Sequence, residues 1–220
     1  MRHALPETIL LGVIDSGQGD YHLTPSGKKR AEEVGKKLKK EKIDFIVSSD
    51  ILRAKETAEG VAKHLGVPVH FDKRLREIYL ADMSGKPSSV YHAAFPTFAE
   101  RFMIAPEKGE TLRDVRSRSW DAFMDLEKKY EGKRILIISH ESPIWMLDAS
   151  AGGWDETRST KEREKMGEKR YLDTGAVRPL IFVAGPRNNS GELDLHRPYI
   201  DEIVLDCKKC GALFGMMSFR

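Results

Sequence analysis

The sequence is poor in three things: cysteine, net charge and long apolar runs. Its two cysteines, Cys207 and Cys210, are too few for a secreted domain built on disulfides, and they leave a metal or redox pair as the alternative. The net charge is only +3, with lysines mixed among glutamates, so no concentrated basic face for nucleic acid is predicted. No apolar run approaches the roughly 20 residues of a membrane span, and the N-terminus lacks the apolar core of a signal peptide. We therefore expect a soluble cytoplasmic protein with no membrane partner.

The apolar residues that are present suffice for a sizeable core, since they make up 40% of 220 residues. Helical spacing of apolar residues predicts helices over residues 24–40, 52–65 and 110–130. Short apolar runs predict strands over residues 43–48, 67–71, 134–139 and 177–184. Because strands and helices alternate, we expect an α/β fold, a three-layer sandwich with a mainly parallel central sheet.

Two segments lack this periodicity. Residues 74–108 contain several prolines and glycines with scattered aromatics, which predicts an excursion over the surface that caps an active site. Residues 155–169 are almost entirely charged or polar, so we expect a solvated helix or a mobile loop there rather than a binding element.

Chargeable side chains cluster at three places: at the start of the chain and directly after two of the predicted strands. They are Arg2-His3, the stretch 48–53 that includes Arg53, and Ser139-His140. Ligands bind at the carboxyl ends of strands in open α/β sheets, so these residues are expected to converge. Two histidines and two arginines suit a phosphate group, because neutral imidazole can attack phosphorus while arginine stabilises the phosphoryl oxygens. Such chemistry needs no metal or other cofactor.

The leaving oxygen of a phosphate ester still needs a proton. Glu77 and Glu141 are the nearest carboxylic acids in the sequence, and both stay open as proton donors. Glu110 is either a carboxylate that stabilises a helix start or a second pocket residue. The remaining histidines have no motif around them and are expected on the surface or in the cap: His22, His64, His70 and His92.

Six motifs, taken in order, resemble those of the histidine phosphatases, also called the phosphoglycerate mutase-like superfamily. They are Arg2-His3, Leu23-Thr24-Pro25-Ser26-Gly27, the stretch 48–58, Leu75-Arg76-Glu77, Gly109-Glu110-Thr111-Leu112 and Ile137-Ile138-Ser139-His140. The resemblance covers about residues 2–184. It implies a phosphoglycerate mutase-like α/β fold and a phosphomonoesterase that acts on a small phosphorylated substrate or binds inorganic phosphate.

The resemblance also implies a role for each motif residue. His3 corresponds to the nucleophile that becomes phosphohistidine, and the phosphoryl group is held by Arg2, Arg53 and His140. Glu77 corresponds to the proton donor and is favoured. Glu141 is the alternative, because in one branch of the family the acid comes directly after the second histidine. Glu141 is otherwise expected to bind substrate.

The start of the chain departs from the family pattern. Ala4 stands where the family has glycine, and Ile9 and Leu10 replace polar residues. Only Met1 precedes Arg2, whereas the family places a central strand before this motif, so that strand is expected to be missing.

The C-terminal run Gly191-Glu192-Leu193-Asp194-Leu195-His196-Arg197-Pro198-Tyr199-Ile200-Asp201-Glu202-Ile203, with the pair Cys207 and Cys210, resembles a segment of isoleucyl-tRNA synthetase. It implies a phosphatase domain, residues 1–185, inserted in a larger synthetase, with an appended segment, 186–220, and tRNA as a partner through that parent. A structural zinc site has four ligands, and the pair Cys207 and Cys210 supplies only two thiolates. Two free thiols are therefore favoured over a zinc site. A non-catalytic module that binds phosphate or tRNA is the alternative to a phosphatase.

Overall fold

The sheet consists of three parallel strands. A computed structural model describes residues 1–167, 169–182 and 190, and its strands are β1 (Phe45–Ser48), β2 (Val69–Phe71) and β3 (Ile135–Ile138), in the order β2-β1-β3. Residues 1–3 extend the sheet beside the end of β3, where Arg2 pairs in parallel with Ser139. The Arg2-His3 motif therefore enters the sheet as its fourth, very short member.

Helices cover both faces of this sheet. They are α1 (Glu7–Leu11), α2 (Pro25–Leu38), α3 (Leu52–Leu65), α4 (Ser88–Ala94), α5 (Phe98–Met103), α6 (Leu112–Lys129), α7 (Glu141–Ala151) and α8 (Glu156–Glu164). Side chains alternate along a strand, so Ile46 packs with Val61 of α3 on one face while Val47 packs with Ala122 of α6 on the other. The predicted three-layer α/β sandwich is confirmed.

Local signals explain the start of α2. Thr24 caps it, with its hydroxyl accepting a hydrogen bond from the Gly27 amide at 3.0 Å, and Pro25 occupies the first helical position. A side chain at Gly27 would place a Cβ only 2.3 Å from the Leu5 carbonyl oxygen. Glycine is therefore required where this helix contacts the segment that follows His3.

The strand predicted over 177–184 is wrong for its described part, since residues 177–182 form no strand. Backbone hydrogen bonding in this region ends earlier, where the Arg2 amide donates to the Ala176 carbonyl at 3.1 Å. The apolar side chains that suggested a strand are exposed instead, and Phe182 stacks on Trp120 at 6.1 Å. Residues 183 and 184 lie outside the described residues.

The predicted cap over 74–108 is confirmed and has its own core. It contains α4 and α5, and its Tyr91, Phe95 and Phe102 pack with Trp145 of α7.

The predicted solvated segment after residue 155 forms α8, but this helix is packed rather than solvated. Glu156 is fully buried and accepts hydrogen bonds from Arg113 at 2.8 and 2.9 Å.

No helix among residues 1–167 and 169–182 is long and apolar enough to cross a membrane. The appended segment 186–220, including Cys207 and Cys210, lies outside the described residues except for Ser190.

Candidate active site

His3 is fixed from four directions. Its backbone amide donates to the Ser139 carbonyl at 2.9 Å, and its carbonyl accepts from the Gly175 amide at 2.9 Å. Its ring Nδ1 lies 2.7 Å from the Ala4 carbonyl oxygen, and its Nε2 accepts from Arg53 Nε at 3.2 Å. The neighbouring Ala4 amide donates to the Thr57 hydroxyl at 3.0 Å. The imidazole is thus held in one orientation although the strand before it is short.

The carbonyl of Ala4 also defines the tautomer of His3. A carbonyl oxygen only accepts, so Nδ1 carries the hydrogen and Nε2 keeps a lone pair. Burial and the positive charges of Arg53 and Arg2 lower the pKa of His3 well below its ordinary value of 6.5. A neutral imidazole whose Nε2 carries a lone pair instead of a hydrogen is the nucleophilic form.

Arg53 lies on the first turn of α3, directly after β1. Its Nη1 contacts the Asp15 carboxylate at 2.5 Å, and its Nη2 donates to the Asp15 carbonyl at 3.0 Å. The sequence predicted Arg53 as a site residue but not Asp15. Asp15 follows an apolar run and no motif surrounds it, so its contact with a residue 38 positions away becomes visible only in the fold.

His140 lies at the start of α7 with its ring centroid 5.0 Å from that of His3. Its Nε2 is 2.8 Å from the Ser49 hydroxyl, while its Nδ1 is buried and has no hydrogen-bond partner in the described part of the chain. Burial, followed by the charge of Arg53, lowers the pKa of His140 well below its ordinary value. His140 is fully buried, with its ring beside that of His3.

Arg2 and Glu141 form an ion pair at 2.8 Å beside His3. Glu141 also lies 3.5 Å from Arg163 and 3.6 Å from Arg170, and it accepts a hydrogen bond from the Tyr171 amide at 2.9 Å. Three arginine side chains therefore lie within 3.6 Å of this carboxylate.

Glu77 is surrounded differently. Its Oε1 accepts from the Ile78 amide at 2.9 Å and the Ser142 amide at 3.3 Å, and it forms no ion pair with any described residue. It is half-buried and lines the same cavity as His3. Glu110 instead pairs with Arg118 at 2.8 Å and does not line the cavity. Of these three carboxylates, only Glu77 both lines the cavity and forms no ion pair with a described residue.

These residues surround a cavity of about 480 Å³. Arg2, His3 and Arg53 lie at its base. The cap, α8 and the segment after α8 contribute a basic rim consisting of His92, Arg101, Arg163 and Arg170. Arg101 is stacked between Tyr91 and Phe98, at 5.1 and 4.7 Å from their ring centroids. Of the basic rim, sequence analysis placed only His92, in the cap, and missed all three arginines.

The described part of the chain contains no group of three or more His, Cys, Asp or Glu side chains placed to hold a metal ion. His22, His64 and His70 lie away from the cavity, as predicted.

Acid is expected to destabilise this fold through the two buried histidines. Because their folded-state pKa values lie below the unfolded value, the unfolded chain binds more protons as pH falls below 6.5, and stability is lost there. Lowering the pH from about 7 to about 5.5 should reduce the unfolding free energy by about 2 to 3 kcal/mol, measured by urea denaturation. His3→Ala should remove about half of this loss, and an undiminished loss would contradict the assignment.

Comparison with known proteins agrees with this geometry: the chain belongs to the histidine phosphatase superfamily (branch 1), whose family model matches residues 1–164. The chain is 33% identical over 139 residues to phosphoglycerate mutase-like protein 4 of Arabidopsis thaliana, a match that covers 60% of each protein, less than two thirds of that relative. It is 30% identical over 146 residues to the uncharacterized phosphatase PhoE of Bacillus subtilis, which covers 66% of this chain and 72% of that protein.

Solved structures show the same fold. Bacillus stearothermophilus YhfR superposes with a TM-score of 0.68 at 25% identity, covering 88% of this chain and 96% of that one. A phosphoserine phosphatase from Entamoeba histolytica in complex with 3-phosphoglyceric acid has a TM-score of 0.65 at 25% identity, covering 79% and 84%. Phosphatase homologues of this kind support an enzyme with a phosphoglycerate mutase-like fold.

Proposed function

We propose that the chain is a phosphomonoester hydrolase that works through phosphohistidine at Nε2 of His3. The observation that carries this proposal is the fixed tautomer of His3, whose Nδ1 is 2.7 Å from the Ala4 carbonyl. The Nε2 lone pair attacks phosphorus, the bond from phosphorus to the ester oxygen breaks, and Glu77 gives that oxygen its proton. Water then attacks the phosphohistidine, with Glu77 taking back a proton, and releases inorganic phosphate.

Two buried nitrogen atoms beside His3 support a phosphoryl ligand. Arg2 Nε and His140 Nδ1 have no hydrogen-bond partner among the described residues. An unpaired buried donor costs about 1 to 3 kcal/mol, and phosphoryl oxygens are strong acceptors. We propose that Arg2, His140 and Arg53 hold the phosphoryl group, with Glu141 holding Arg2 in place.

The test is to trap the intermediate. The intact chain is mixed with p-nitrophenyl phosphate in EDTA, quenched in alkali and analysed for acid-labile phosphate on histidine. Turnover with phosphate on His3 is expected. Phosphate binding without turnover would instead favour the alternative, a non-catalytic module that binds phosphate or tRNA.

We further propose that the preferred ester carries a second anionic group. Arg101 is buried, its Nε donates to the Phe95 carbonyl at 2.9 Å, and it has no carboxylate partner in the described part of the chain. Burial, followed by the nearby charge of Arg163, lowers the pKa of Arg101. The phosphoserine phosphatase of Entamoeba histolytica, crystallised with 3-phosphoglyceric acid and, as a mutant, with phosphoserine, is consistent with such a substrate.

Substitution of Arg101 should reveal this preference. Wild-type kcat/KM for 4-carboxyphenyl phosphate is expected to exceed that for 4-methylphenyl phosphate by about 10-fold or more, as for a charge-assisted hydrogen bond. Arg101→Met keeps the stacked aliphatic stem and should remove the preference. Arg134→Met, near the amino end of β3, is the matched control. Equal kcat/KM values for both esters in the wild type would exclude a second-anion site.

We also propose that residues 1–185 form the phosphatase domain, and that 186–220 is an appended segment from an isoleucyl-tRNA synthetase, with tRNA reached through that parent. The run 191–203 and the pair Cys207 and Cys210 support this origin. The family match ending at residue 164 is consistent with a boundary beyond it.

A further inference from the structure

Asp15 has no part in the reaction proposed above, yet it lies against a residue that the reaction needs. Its carboxylate contacts Arg53 Nη1 at 2.5 Å, and its backbone carbonyl accepts from Nη2 at 3.0 Å. Arg53 Nε donates to His3 Nε2 at 3.2 Å. All three nitrogens of the guanidinium therefore have partners within the chain before any phosphate arrives.

The Asp15 carboxylate is itself confined. Its second oxygen accepts from the Gln18 and Gly19 amides, both at 3.2 Å, and from the Ser84 hydroxyl at 3.3 Å. Its side chain is only 1% exposed. Several hydrogen bonds would have to break before the carboxylate could turn away from Arg53, so it stays beside the phosphate site.

A phosphoryl group at His3 Nε2 would share one guanidinium with this carboxylate. Two negative groups so close repel each other, and burial leaves little water to screen them. Part of the positive charge of Arg53 is already neutralised by Asp15, so less remains for the phosphoryl oxygens.

We propose that Asp15 is a positioning residue that weakens the binding of the phosphoryl group, and therefore of bare inorganic phosphate. It does so through Arg53, and the proposal rests on the phosphatase function above. Affinity must then come from the rest of the ester, which contacts the cap and the basic rim, and the product phosphate leaves readily. The phosphate ion has no such further contacts, so its own binding stays weak.

Isothermal titration of inorganic phosphate tests this inference directly. Asp15→Asn removes the charge and should lower the Kd for phosphate about 10-fold or more. Asp44→Asn is the matched control, because Asp44 precedes β1 at the opposite end of the sheet and pairs with Lys133 at 3.0 Å. It removes the same charge and should change the Kd less than about 2-fold, since distant charges are screened.

In turnover assays, Asp15→Asn should lower KM and the inhibition constant of phosphate more than it changes kcat. Partial loss of structure would not lower KM and the inhibition constant while leaving kcat nearly unchanged. Unchanged or weaker phosphate binding in a folded Asp15→Asn protein would overturn the proposal. Asp15→Ser serves as a second variant, and failure of both to fold would show that the carboxylate is structural. Binding is measured without turnover, so an inactive wild type would refute the phosphatase function separately.

Discussion

Replacing His3 with alanine is expected to lower kcat roughly 10⁴- to 10⁶-fold, as loss of a nucleophile does in other covalent enzymes. Among the described residues that line the base of the cavity, only His3 has a ring nitrogen lone pair of fixed orientation. The Ala4 carbonyl fixes it by accepting a hydrogen bond from the other ring nitrogen, Nδ1. The Nε2 of His140 lies 2.8 Å from the Ser49 hydroxyl, so His140 does not offer its Nε2 in the same way. The acid-labile phosphate should vanish together with turnover of p-nitrophenyl phosphate.

The matched control for this variant is His70→Ala. His70 is exposed on β2, outside the cavity, so its loss should leave kcat within about 2-fold. Circular dichroism and a thermal melt establish that His3→Ala is folded, since removing the ring leaves Arg53 Nε without its partner. A folded His3→Ala protein that keeps full activity would refute the nucleophile assignment.

The parts of the molecule that local signals specify were predictable from the sequence. The helix predicted over 52–65 has those ends in the structure, because Gly66 closes it in the left-handed conformation. The convergence of Arg2-His3, Arg53 and His140 also followed, because parallel strands bring their carboxyl ends together. The helix end depends on a residue next to it in the sequence, and the convergence of the site depends only on the parallel arrangement of the strands.

The parts that were missed depend on contacts between distant segments. The charged residues of α8 were expected to face solvent. A sequence cannot distinguish a charged side chain that faces solvent from one that faces a polar cavity, because both give the same pattern. Arg163 belongs to the second kind, with its guanidinium 4.7 Å from the Phe98 ring. The strand predicted over 177–184 fails in its described part for the opposite reason. Apolar side chains that were expected to be buried in a sheet, such as Ile181 and Phe182, are exposed there.

Replacing Glu77 with glutamine is expected to lower kcat by about 10²- to 10⁴-fold on alkyl phosphates and much less on p-nitrophenyl phosphate. An alkoxide must be protonated as it leaves, whereas p-nitrophenolate is stable without a proton. Glutamine keeps the hydrogen bonds from the Ile78 and Ser142 amides and has no acidic proton to give. The measurement is the ratio of kcat for glycerol phosphate to that for p-nitrophenyl phosphate in both proteins.

Glu141→Gln separates this role from that of the other carboxylate. It should weaken phosphate binding on both substrates alike, because Glu141 is paired with Arg2 at 2.8 Å and acts through that arginine. Its kcat ratio between the two substrates should therefore stay at the wild-type value. A selective loss on glycerol phosphate in Glu141→Gln, with equal losses on both substrates in Glu77→Gln, would transfer the proton donor to Glu141. The contacts favour Glu77, because Glu141 already pairs with Arg2 and also lies 3.5 Å from Arg163 and 3.6 Å from Arg170, whereas Glu77 forms no ion pair with any described residue.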